Sequence, residues 1–70
     1  MNIAEYTIQM FYKNGHKAQL IERVNRDRNT VEWEVRWSLP DGLNGYRIFS
    51  RYSAALRHFD DTEDIYERNA

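Results

Sequence analysis

Two histidines, His16 and His58, and four carboxylates in five positions, Asp60, Asp61, Glu63 and Asp64, are the residues most able to do chemistry in this chain. A metal site would need both histidines and carboxylates brought together; Asp60 or Asp61 could join His58, but no recognised ligand spacing is present. The acidic run lacks the glycine and the terminal Glu of a calcium loop. There is no cysteine, so thiolate nucleophiles, disulfides and thiolate–zinc sites are excluded. The three glycines fall in turn contexts and make no phosphate-cradling loop. Glu32 and Glu34 share one face of a strand. Acid–base work by this pair competes with simple cross-strand pairing to Arg47 or Arg51, and the pairing is the expected role. No catalysis, no cofactor and no metal are expected.

What remains is charge arranged for contact. Residues 13–28 carry Lys13, Lys17, Arg23, Arg26 and Arg28 against Glu22 and Asp27. Residues 60–70 carry Asp60, Asp61, Glu63, Asp64 and Glu67 against Arg68. The acidic end offers a surface to a basic partner, competing with nucleic acid for a Lys/Arg-lined groove. The basic stretch, with Phe11 and Tyr12 beside it and Arg36, Arg47 and Arg51 further on, has the composition of a partner-binding or nucleic-acid-binding surface.

These residues must be positioned by a small fold. Seventy residues with 41% hydrophobic and 14% aromatic content make one domain, residues 1–70. Its core has to be aromatic-rich, because a chain this short buries only ~60% of its extended surface. Thr30 to Leu39, TVEWEVRWSL, alternates strictly. Val31, Trp33, Val35, Trp37 and Leu39 take one face and the polar residues the other, which is a half-buried antiparallel strand.

Tyr6 to Lys13 reads as an earlier strand in which Tyr6, Ile8, Met10 and Tyr12 alternate with Thr7, Gln9, Phe11 and Lys13. Asn14-Gly15 follows as a hairpin turn. A three-residue loop, pairing Tyr12 with Ala18 and Met10 with Leu20, keeps one face mostly apolar and is the expected register. His16 to Val24 is read as strand, against a competing helical spacing of Ala18, Ile21 and Val24. Asn25 to Asn29 is a turn. After Pro40-Asp41-Gly42, Tyr46 to Ser50 forms a fourth strand.

Ser50 is placed to cap a helix running from Arg51. Tyr52, Ala55, Leu56 and Phe59 form its stripe over Trp33 and Trp37. Acidic residues are unfavourable near a helix C-terminus, which favours a break or kink near Asp60. The alternative is one helix to Glu67, with Tyr66 continuing the stripe. The expected fold is α+β, an antiparallel meander of three to four strands with one main C-terminal helix on one face, ββββα.

From Thr30 to Asp61 the order is strand, Pro-Asp-Gly turn, short strand, then Phe49-Ser50-Arg51-Tyr52-Ser53-Ala54-Ala55 leading into a helix. This resembles the arm-type N-terminal DNA-binding domains of tyrosine integrases. The resemblance implies a three-stranded sheet on one helix, with the exposed sheet face in the DNA major groove. The matching positions here are Glu32, Glu34, Arg36, Arg47 and Arg51. Two carboxylates facing phosphates would be repulsive, and the net charge of −1 argues against nonspecific binding to nucleic acid.

A protein partner is therefore the first expectation, met through the acidic end, the basic hairpin and the spare aromatics Phe11, Phe49 and Tyr12. Direct DNA or RNA binding is the alternative. The size and the lack of catalytic groups also resemble the small accessory proteins of phages and mobile elements, which implies inhibition of a host nucleic-acid or defence machine. With no stretch of about 18 apolar residues and no signal-peptide core, a cytoplasmic protein without membrane contact is expected. It would be a monomer or weak homodimer.

Overall fold

Asn14 and Gly15 take φ angles of 52° and 82°, the left-handed pair that a two-residue hairpin turn requires. In the computed structural model, which describes residues 2–69, this turn joins β1 (Ile3–Lys13) to β2 (His16–Asn25). Lys13 pairs with His16, Tyr12 with Lys17 and Met10 with Gln19. The expected three-residue loop is thus corrected, because the turn chemistry of Asn-Gly sets the register at the tip. The apolar pattern is rescued further along by a bulge: Gln9 pairs with Leu20, Thr7 with Ile21, and Ile8 is left without a partner. The extra residue changes which parity faces which side. Phe11 and Gln9 share a face with Tyr6 and Ala4, while Tyr12 and Met10 share the opposite face with Thr7 and Glu5.

The sheet continues in sequence order through β3 (Thr30–Ser38) and β4 (Asn44–Phe49), all antiparallel. Residues 16–25 are strand, as expected, because three elements give them a ladder on both sides and one buried face. The Asn25 side-chain oxygen accepts from the backbone N–H of Asp27 and Arg28, at 3.1 and 3.2 Å, and so builds the second turn. Leu39 closes the third loop, accepting from the N–H of Gly42 at 3.0 Å and donating to the Leu43 carbonyl at 2.7 Å.

One helix, α1 (Tyr52–Asn69), follows. Its first backbone bond runs from the Ala55 N–H to the Arg51 carbonyl, 3.2 Å. Arg51, not Ser50, therefore occupies the N-cap position. No break occurs at Asp60. Tyr66 is only 6% exposed and packs on Phe11 and His16, with ring centroids at 6.2 and 4.9 Å. Burying that ring holds the last turns against the sheet, and it outweighs the poor placement of the acidic residues, worth only ~0.3–1 kcal/mol each at an exposed site.

The core lies between α1 and one face of the sheet. Leu20, Val35 and Phe59 are fully enclosed, with Ala18 and Ala55 letting the helix approach closely. Trp33 and Trp37 lie on this face as expected, but as its half-buried flanks. Trp33 meets Tyr52 edge-on at 6.0 Å. The Trp37 ring lies flat on Gly45, where any Cβ would sit 2.6 Å from it. Phe11 and Phe49, expected as spare surface aromatics, pack against this core.

Candidate functional site

Among the described residues no element covers the opposite face of the sheet. Cross-strand register lays it out in rows. Tyr12, Lys17, Ser38 and Asn44 form the row nearest the first hairpin. Met10, Gln19, Arg36 and Tyr46 form the next, then Thr7, Ile21, Glu34 and Ile48, then Glu5, Arg23 and Glu32. Uncovered antiparallel faces are normally polar. This one exposes Tyr12 at 69%, Tyr46 at 65% and Met10 at 60%, with Ile48 beside them.

The centre of the face is pinned by charge. Glu34 is 4% exposed and is held by two arginines, with Arg23 Nη1 at 3.5 Å and Arg36 Nε in direct contact. Glu5 joins from β1, accepting from Arg36 Nη2 at 2.9 Å and facing Arg23 Nε at 3.2 Å, an ion pair without hydrogen-bond alignment. Hydrogen bonding to Glu34 pushes the Arg36 pKa further above its ordinary value. The expected pairing of Glu34 with Arg47 or Arg51 is corrected. Arg47 lies on the helix-covered face, 5.3 Å over the Phe49 ring.

The basic residues expected at one surface do not gather. Lys13 and Lys17 flank the first hairpin, whereas Arg26 and Arg28 lie in the turn at the far end of β2, about ten residues or ~30 Å away. Arg26 reaches back to the Tyr6 hydroxyl at 3.4 Å. Arg23 and Arg36 belong to the charge cluster. Arg51 lines a surface cleft with Ser53, Ala54 and Arg57. The acidic residues stay close together within α1. Asp60, Asp61 and Asp64 are exposed on α1, Glu63 is half-buried, and Asp64 accepts from Arg68 at 3.0 Å.

Both histidines are packed on aromatic rings of the covered face. His58 lies between Trp37 and Phe49, at 5.9 and 5.3 Å, and His16 on Tyr66. The buried Nδ1 of each has no hydrogen-bond partner among the described residues. Burial lowers the His58 pKa, assisted by the charge of Arg47 and opposed by Asp61. Among the described residues no cluster of three His, Cys, Asp or Glu side chains is placed to hold a metal. No helix there is long and apolar enough to cross a membrane.

Sequence reasoning did not find Glu5, Met10, Tyr46 or Arg57. Glu5 lies before the expected strand of Tyr6 to Lys13, and Met10 was turned to the wrong face by the expected three-residue loop. Tyr46 carried a signal in its alternation with Arg47, since it shares its face with Ile48. Arg57 carried one in its helical spacing from Ser53 and Ala54. No protein-family model, curated protein or solved structure matches this chain.

Proposed function

We propose that this chain is a small non-catalytic binding protein that docks on a protein partner through the uncovered face of its sheet. One observation carries the reading: Tyr12, Met10 and Tyr46 stand exposed on a face where Arg23, Arg36, Glu5 and Glu34 are already fixed against each other. Tyr, Met and Arg are enriched in interface cores, and a pre-ordered surface loses little entropy when covered. Inhibition of a host nucleic-acid or defence machine, in the manner of a phage accessory protein, is the finer form of this proposal. Its support is the exposed Asp60, Asp61 and Asp64, which offer negative potential to a basic groove.

The test is affinity capture from the native cell with the wild-type protein and with the Tyr12→Ser, Tyr46→Ser double variant. A protein held by the first and released by the second supports docking at this face. Equal capture by both places the contact elsewhere.

A second reading, direct DNA or RNA binding, is favoured by the cleft of Arg51 and Arg57 at the start of α1. It predicts salt-dependent binding to a short duplex, weakened by Arg51→Glu plus Arg57→Glu. Absence of such binding at low salt removes it.

A further inference from the structure

The first two rows of the uncovered face enclose a shallow basin of about 160 Å³, with Lys17, Gln19, Arg36, Ser38 and Asn44 in its lining. Every one of these side chains carries hydrogen-bond donors, two are cations, and no carboxylate lines the basin. Among the described residues Lys17 makes no ion pair. Arg36 commits Nε and Nη2 to glutamates and has Nη1 left over. Tyr12 and Met10 border the basin on the β1 side, Tyr46 on the β4 side.

Resting on the docking role proposed above, we infer that this basin is the anchor of the interface and receives the carboxylate of an acidic side chain flanked by an apolar one on a partner protein. Charge complementarity selects the carboxylate. Lys17 supplies a mobile ammonium and Arg36 a fixed guanidinium edge, a pair that suits one anionic group in a partly dry site. The exposed rings of Tyr12 and Tyr46 and the Met10 side chain receive the apolar neighbour.

The distribution of charge over the whole face argues for a single anion and against a phosphate chain. Two rows further from the hairpin lie Glu5 and Glu32, with Glu34 between them and the basin. A strand of nucleic acid crossing the face would carry its next phosphates onto these carboxylates. A peptide with one acidic side chain in the basin would not.

The experiment follows backbone amide shifts of the isotope-labelled protein in solution. The probes are the peptide Ac-Gly-Asp-Phe-Gly-NH2, its asparagine counterpart Ac-Gly-Asn-Phe-Gly-NH2, and a short oligothymidylate strand. The acidic peptide should shift the amides of Lys17, Gln19, Arg36 and Tyr46 saturably. The asparagine peptide should bind about ten-fold more weakly, the loss expected of one charge-assisted contact. Lys17→Glu should abolish the response while leaving amide dispersion elsewhere unchanged.

No response at millimolar peptide, an equal response to both peptides, or a response untouched by Lys17→Glu overturns the inference. Tighter binding of oligothymidylate at the same amides overturns it in favour of nucleic acid. A cellular partner that depends on Tyr12 and Tyr46 but ignores Lys17→Glu would leave docking standing and remove only the acidic anchor.

Discussion

The two faces of this sheet are held together by different physics. Under α1, Leu20, Val35 and Phe59 are enclosed by apolar neighbours, and that face is stabilised by area removed from water. On the other side Ile21 and Glu34 are almost as deeply buried, at 2% and 4%, although no element among the described residues lies over them. They are covered by the side chains of their own sheet, with Glu34 gripped by Arg23 and Arg36. The first face is ordered by a partner within the chain. The second is ordered without one, and so presents large exposed side chains on a rigid base.

The largest effect should come from the covered face. Phe59→Ala should cost ~3–5 kcal/mol, most of what a domain of this size has, and urea unfolding would show it as a collapse of the midpoint. Trp33→Ala should cost clearly less, because Trp33 is a flank; equal losses would mean that the core centre lies elsewhere.

Next comes the pinned centre of the uncovered face. Glu34→Ala removes the buried one of the two carboxylates that Arg23 and Arg36 share and should cost about 1–3 kcal/mol. A neutral result would erase the contrast between the faces, since the charge cluster would then hold nothing.

A smaller effect tests the covered face through pH. The His58 pKa is lowered from its ordinary 6.5, first by burial. The unfolded chain therefore takes up this proton before the folded one does. The stability contributed by neutral His58 is full above about pH 6.5, falls as the pH drops through the window below it, and levels off once the folded protein protonates as well. Unfolding midpoints at about pH 7.5 and pH 5.5 should differ less for His58→Gln than for the wild type; an unchanged difference would mean that His58 is not what couples this face to protons. The smallest effect belongs to the exposed aromatics. Tyr12→Ser and Tyr46→Ser should each change stability by less than about 0.5 kcal/mol, measured by the same unfolding curves. A larger loss would make them structural and would blur the division between the faces.

The architecture was legible in the sequence because its signals are periodic. The alternation of Val31, Trp33, Val35 and Trp37, and the stripe of Ala55 and Phe59, survive any local irregularity. The register of β1 was not legible, because a single unpaired residue moves the parity of every position beyond it. Tyr6, Ile8, Met10 and Tyr12 read as one stripe, yet Tyr6 stands on the covered side and Tyr12 on the other.

Helix length was misjudged because the charges of Asp60 to Asp64 are local, while the ring of Tyr66 finds its neighbours, Phe11 and His16, about fifty residues away in the chain. The basin was not legible for the same reason. Lys17, Arg36 and Asn44 come from three strands and meet only through the ladder.

The unpaired Ile8 also bears on how readily the outer edge of β1 can pair with another molecule. β1 is an outer strand whose free backbone groups could template pairing with a neighbouring molecule along its whole length. The irregularity divides that edge into two runs of five residues, Ile3 to Thr7 and Gln9 to Lys13. A foreign strand in register with one run falls out of register with the other, so fibril-like stacking along this edge has no continuous track to follow.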